Sequence, residues 1–115
     1  MASNLRTVNL EEGMPLVDEA IRHLTRELHY SRKSGVTVLK IIHGYGSSGA
    51  GGRIRVGARR YLDGLAARGE ITGYIPGERF SIFDEDTRRA FLVCNDLRKE
   101  HDLERHNNGV TFIVL

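Results

Sequence analysis

At 115 residues and a net charge of only +2, the chain has room for one hydrophobic core burying about two-thirds of its unfolded surface, and too little charge to coat nucleic acid by charge alone. It has no apolar run near the roughly 20 residues of a membrane span and no signal-peptide core in residues 1–6, so a soluble, cytoplasmic domain spanning 1–115, without membrane partners, is expected. The lone Cys94 excludes an internal disulfide and suits a reducing compartment, as a half-buried thiol beside Leu92 and Val93.

Residues 4–10 place Leu5, Val8 and Leu10 in weak alternation and predict a first strand, turned by Glu11-Glu12-Gly13. From Pro15, apolar residues Leu16, Val17, Ala20, Ile21, Leu24 and Leu28 recur at three- and four-residue steps, predicting a helix stopped by Ser34-Gly35. Residues 36–42 are apolar at nearly every position, as in a strand covered on both faces, with Lys40 snorkelling or near an edge. Ile54, Ala58, Tyr61, Leu62, Leu65 and Ala66 form the stripe of a second helix closed by Gly69. Gly57 and Gly64 each weaken it by about 1 kcal/mol relative to alanine, so tertiary packing must hold it.

Residues 71–75 predict a short third strand ended by Pro76-Gly77, and Asp84 caps a third helix carrying Ala90, Phe91, Leu92, Val93 and Leu97. After the turn at Asn107-Asn108-Gly109, residues 110–115 predict a final strand. The order is βαβαβ(α)β, an α/β fold with helices on a mixed sheet and a helical insertion at about 78–108 before the last strand.

The chain is organised around the join between second strand and second helix, where five of the ten residues from His43 to Gly52 are glycine. Arg53 and Arg55 follow in what reads as the first helical turn, where the macrodipole favours anions. Free backbone N–H groups, a positive helix end and two guanidinium forks describe a site for phosphate or carboxylate. Gly44, Gly46 and Gly49 satisfy a dinucleotide-binding G-x-G-x-x-G pattern, but the acid expected about 20 residues on is missing, since Asp63 falls inside the helix. A P-loop needs a Gly-Lys-Ser/Thr that Gly52-Arg53-Ile54 does not supply.

Leu39-Lys40-Ile41-Ile42-His43-Gly44-Tyr45-Gly46, the glycines after it, the basic helix start and the closing strand from Gly109 to Leu115 resemble the Smr (small MutS-related) domain family. The resemblance covers most of the chain. It implies a two-layer α/β sandwich similar to the C-terminal domain of a bacterial translation initiation factor, binding DNA or RNA, with strand-nicking endonuclease activity in some members. Where the family ends its first strand in Leu-Asp-x-His, this chain reads Val8-Asn9-Leu10-Glu11, which marks a divergent member and puts a carboxylate in the place of an imidazole.

His43, at the carboxyl end of a central strand, is the candidate proton carrier, with Glu11 as its partner across the strand ends. Gly44, Tyr45, Gly46, Ser47, Ser48, Gly49, Gly51, Gly52, Arg53, Arg55 and Arg59 are the candidate phosphate and nucleic-acid contacts, with Tyr45 either stacking on a base or packing on its own loop. Arg59 and Arg60 extend the basic face or stand as solvated charges. No cofactor is implied with certainty; Glu11 and Glu12 leave room for a divalent metal, while residues 101–106 read as solvated surface. A small phosphorylated ligand or nucleotide at the loop, and an inactive protein-interaction module, are the alternatives.

Overall fold

The computed structural model describes residues 4–45 and 50–115. They form β1 (Leu5–Asn9), α1 (Val17–Lys33), β2 (Val38–Ile42), α2 (Ala50–Ala67), β3 (Gly73–Pro76), α3 (Glu85–Val93) and β4 (Val110–Val114), with 3₁₀ turns at Gly77–Arg79 and Asn95–Lys99. The sheet runs β1-β2-β4-β3, with β1 parallel to β2 and β4 antiparallel to both its neighbours. This is an α/β fold on a mixed four-stranded sheet, as the alternation of strand and helix patterns predicts.

Period-two alternation sorts the strands between two apolar layers. Val8, Leu39, Ile41 and Ile113 meet Leu24, Leu28, Ile54 and Leu62 of α1 and α2, while Val38, Ile75, Val110 and Phe112 meet Phe80, Ala90, Phe91 and Leu97 on the other face. Residues 77–99 thus lie against the second face, where Phe80 stacks on Phe112 at 4.1 Å and meets Phe91 edge-on at 6.5 Å. The central strands β2 and β4 are covered on both sides, which is why both are apolar almost throughout.

Lys40 is neither snorkelling nor at an edge. It is 7 % exposed on a central strand, with Nζ 2.6 Å from Glu100 Oε1 and 2.7 Å from Asp102 Oδ2. Asp102, assigned from sequence to a solvated surface, is buried with it and also accepts from Asn107 Nδ2 at 3.0 Å. Cys94 is fully rather than half buried, while Leu92 is 80 % exposed.

Both long helices stop as the glycine signals predict. Gly35 and Gly69 take φ of +75° and +74°, and the 6→1 and 5→2 bonds (Val36 N–H to Ser31 O, Gly35 N–H to Arg32 O; Glu70 N–H to Leu65 O, Gly69 N–H to Ala66 O) close each end. At the start of α1, Glu19 accepts from the Leu16 N–H at 2.9 Å. Asp84 caps α3, its Oδ2 accepting from both the N–H and the hydroxyl of Thr87 at 2.9 Å.

Where β3 turns toward α3, a Cβ on the buried Gly77 would lie 2.0 Å from Asn107 O and 2.7 Å from Val110 O. Those are backbone atoms of the turn into β4 and have little room to yield. Gly77→Ala is expected to destabilise the protein by about 2 kcal/mol, read from a urea midpoint with unchanged slope; a loss under about 0.5 kcal/mol would mean that the turn relaxes freely.

Candidate functional site at the carboxyl ends of the central strands

Among the described residues, His43, Gly44, Tyr45 and Glu11 collect where β1 and β2 finish. His43 follows the last residue of β2 and is 0 % exposed. Its Nδ1 lies 2.8 Å from Gly44 O, a group that only accepts, so Nδ1 carries the proton. Nε2 is then the acceptor for the Thr111 hydroxyl at 2.7 Å, and Thr111 Oγ1 in turn accepts from Arg59 Nε at 3.2 Å. Every group in this chain is satisfied with a neutral imidazole. Burial, and then the charges of Arg59 and Arg55, hold His43 down to about 4, against the pull of Gly44 O and Glu78.

Arg59, proposed from sequence as a phosphate contact, faces inward instead. Its fork grips Glu78 with both Nη atoms at 2.8 Å, and Nη2 also donates to Val110 O at 3.3 Å. The guanidinium beside Glu78 holds that carboxyl below its ordinary value despite burial. In this arrangement Arg59 ties α2 to the start of β4, and an oxyanion would have to displace Glu78 to reach it.

The helix also starts earlier than the glycine count suggests. Gly51 and Gly52 enter α2 rather than the loop, so Arg53 is its fourth residue and Arg55 its sixth, beyond the first turn. Glycine at those positions costs helix stability but has no steric bar to helical dihedrals. Gly46, Ser47, Ser48 and Gly49 lie outside the described residues.

Glu11 does reach the strand end assigned to it. Its carboxylate lies against Gly44: a Cβ there would sit 2.3 Å from Glu11 Oε2. With φ at +74°, Gly44 is required on both counts. Its N–H and that of His43 share Gly109 O at 3.0 Å, which fastens the loop to the residue before β4. Tyr45 packs on the same glycine, its Cδ1 3.1 Å from where a Gly109 Cβ would be, yet it remains 57 % exposed.

Along α2, a shallow groove of about 440 Å³ is lined by Arg55, Val56, Arg59, Arg60 and Asp63. Its one acid, Asp63, accepts from the Tyr74 hydroxyl at 2.7 Å, and burial with that bond pushes Tyr74 up to about 12. Among the described residues, no hydrogen bond or ion pair engages the side chains of Arg53, Arg55 or Arg60.

No protein-family model, curated protein or solved structure matches the chain. What the site does must therefore be read from its own chemistry. A larger cavity of about 490 Å³ lies elsewhere, between α3 and the opposite sheet end, lined by Gly73, Ile75, Ala90 and Val93 among others; it contains none of the candidate residues. Among the described residues, no three His, Cys, Asp or Glu side chains gather to hold a metal ion, and no helix is long and apolar enough to cross a membrane.

Sequence reasoning did not find Thr111, Glu78 and Gly109. A hydroxyl inside Val110-Thr111-Phe112-Ile113-Val114 was the available signal, because a buried polar group in an apolar strand needs a partner.

Proposed function

We propose that the chain is a divergent Smr-like domain that binds the sugar–phosphate backbone of DNA or RNA along α2. The arginine-lined groove carries this reading: Arg55 and Arg60 line it without an ion pair among the described residues, Arg53 stands exposed two turns before Arg60, and Asp63 is already bonded to Tyr74. Its shape supports a polymer. A small phosphorylated ligand is ordinarily enclosed over about 70–90 % of its surface, whereas a shallow open groove suits a backbone passing across it. His43 then works as a positioning residue, fixing the turn between β2 and the arginines.

Three phosphate contacts give a slope of log K against log salt of about −2 to −3. Anisotropy titrations of a labelled oligonucleotide between about 50 and 200 mM salt should show it, and Arg60→Ala should reduce its magnitude by about 0.7 to 0.9. An affinity independent of salt, or unchanged in an Arg55→Ala, Arg60→Ala double variant, would overturn the assignment.

A further inference from the structure

We propose that the polymer is single-stranded, with one unpaired base stacked on the open face of Tyr45; this rests on the groove reading above. Tyr45 is a large aromatic left 57 % exposed, and its Cδ1 fills the space into which a side chain on Gly109 would project. A ring packed there loses little freedom when a base covers it, which is what a stacking platform requires. Gly109 contributes by lacking a side chain, since a Cβ there would press on Tyr45 Cδ1 at 3.1 Å.

The platform adjoins the groove. Gly109 is followed directly by Val110, whose carbonyl accepts from Arg59 Nη2, and Arg59 lines the groove beside Arg55 and Arg60. Arg55 is also close enough to His43 to bear on its titration, and the His43 N–H is bonded to Gly109 O. Tyr45 and the free end of the arginine row therefore flank one strand end. A strand whose backbone runs over Arg55 and Arg60 toward that end would bring a base to the Tyr45 ring. Paired bases in a duplex are stacked inside the helix and cannot use such a ring, whereas an unpaired base can, whatever its identity.

Three probes separate the outcomes: a single-stranded oligonucleotide carrying 2-aminopurine, the matching duplex, and inorganic polyphosphate, which has charge but no base. Wild type should bind the single strand more tightly than the duplex and quench the 2-aminopurine. Tyr45→Ala should weaken single-strand binding about tenfold and abolish quenching, with duplex and polyphosphate affinities unchanged, and Tyr45→Phe should restore both. Equal affinities of wild type for the single strand and duplex, or a Tyr45→Ala loss that is absent or shared by polyphosphate, would overturn the stacking site while leaving the groove standing. If Arg55→Ala with Arg60→Ala changes none of the three affinities, the groove reading itself fails, and the stacking site with it.

Discussion

Lys40→Met is expected to cost about 3–5 kcal/mol of folding stability, because it strands two carboxylates in the core. Lys40 Nζ is the shared partner of Glu100 and Asp102, at 2.6 and 2.7 Å, beneath the Phe112 ring at 5.7 Å. Burial pulls Lys40 down, but the two carboxylates more than offset it and leave its value above the ordinary 10.5; the same pairing leaves Asp102 below 3.8 despite its burial. Both shifts mean that the charged forms are favoured in the folded state. The Lys40 contribution is complete below pH 10.5 and fades as pH rises through its folded value, and the Asp102 contribution is complete above pH 3.8 and fades as pH falls through its own. At neutral pH both are present in full. Removing the cation alone therefore exposes the whole cost of two buried anions, whereas Lys40→Met combined with Glu100→Gln and Asp102→Asn removes the anions too and should lose less than the single variant. Urea unfolding at pH 7 reads the difference; a loss below about 1 kcal/mol for Lys40→Met would show that water reaches the carboxylates.

That triad also shows where the sequence stops being legible. The stripe of α1, the Asp84 cap and the stops at Gly35 and Gly69 depend on residues within a few positions of one another, and the structure places them where those patterns do, except that Leu16 stands before α1 and is 74 % exposed. The partners of Lys40 lie 60 residues away at Glu100, and the partner of His43 lies 68 residues away at Thr111. A lysine on an apolar strand carries no sign of which carboxylates will fold over it. The third helix was expected to run through Leu97, but it ends before Cys94, whose φ of −150° is extended, and Leu97 is buried from the 3₁₀ turn instead. Gly57 reads as a helix-weakening residue; that Val17 Cγ1 packs within 2.8 Å of its missing Cβ, letting α1 and α2 approach, is a fact of the tertiary fold alone. The site divides in the same way. His43, Gly44 and the α2 arginines stand out in one contiguous stretch, but that Arg59 is held by Glu78, 19 residues further on, is a fact of the tertiary fold.

Acidification should test what His43 does. An imidazole at about 4 in the folded protein and near 6.5 in the unfolded chain lets the unfolded state take up a proton first. Its contribution is thus complete above pH 6.5 and is lost as pH falls toward 4, by about 3 kcal/mol in all at about 1.4 kcal/mol per pH unit. Glu78 and Asp102 are held below 4.5 and 3.8, so their own losses come at the acid end and leave the window from 6.5 to about 4.5 to His43 among these three. Burial of the ring, which leaves an imidazolium without water to solvate it, is the main cause of the low His43 value, and the Arg59 and Arg55 charges add to it. A proton on Nε2 would also turn the Thr111 hydroxyl from donor to acceptor at that nitrogen, beside the Arg59 N–H already on the same oxygen. His43→Gln should be less stable than wild type at pH 7.5, where the Thr111 hydroxyl loses the Nε2 that accepts from it, yet it should lack the slope below 6.5, so that the two stability curves converge near pH 4.5. Parallel curves would mean that the ring is solvated in the folded state and free to exchange protons, which would return His43 to the position of a proton carrier at a strand end rather than the pin that holds the arginine helix against β4.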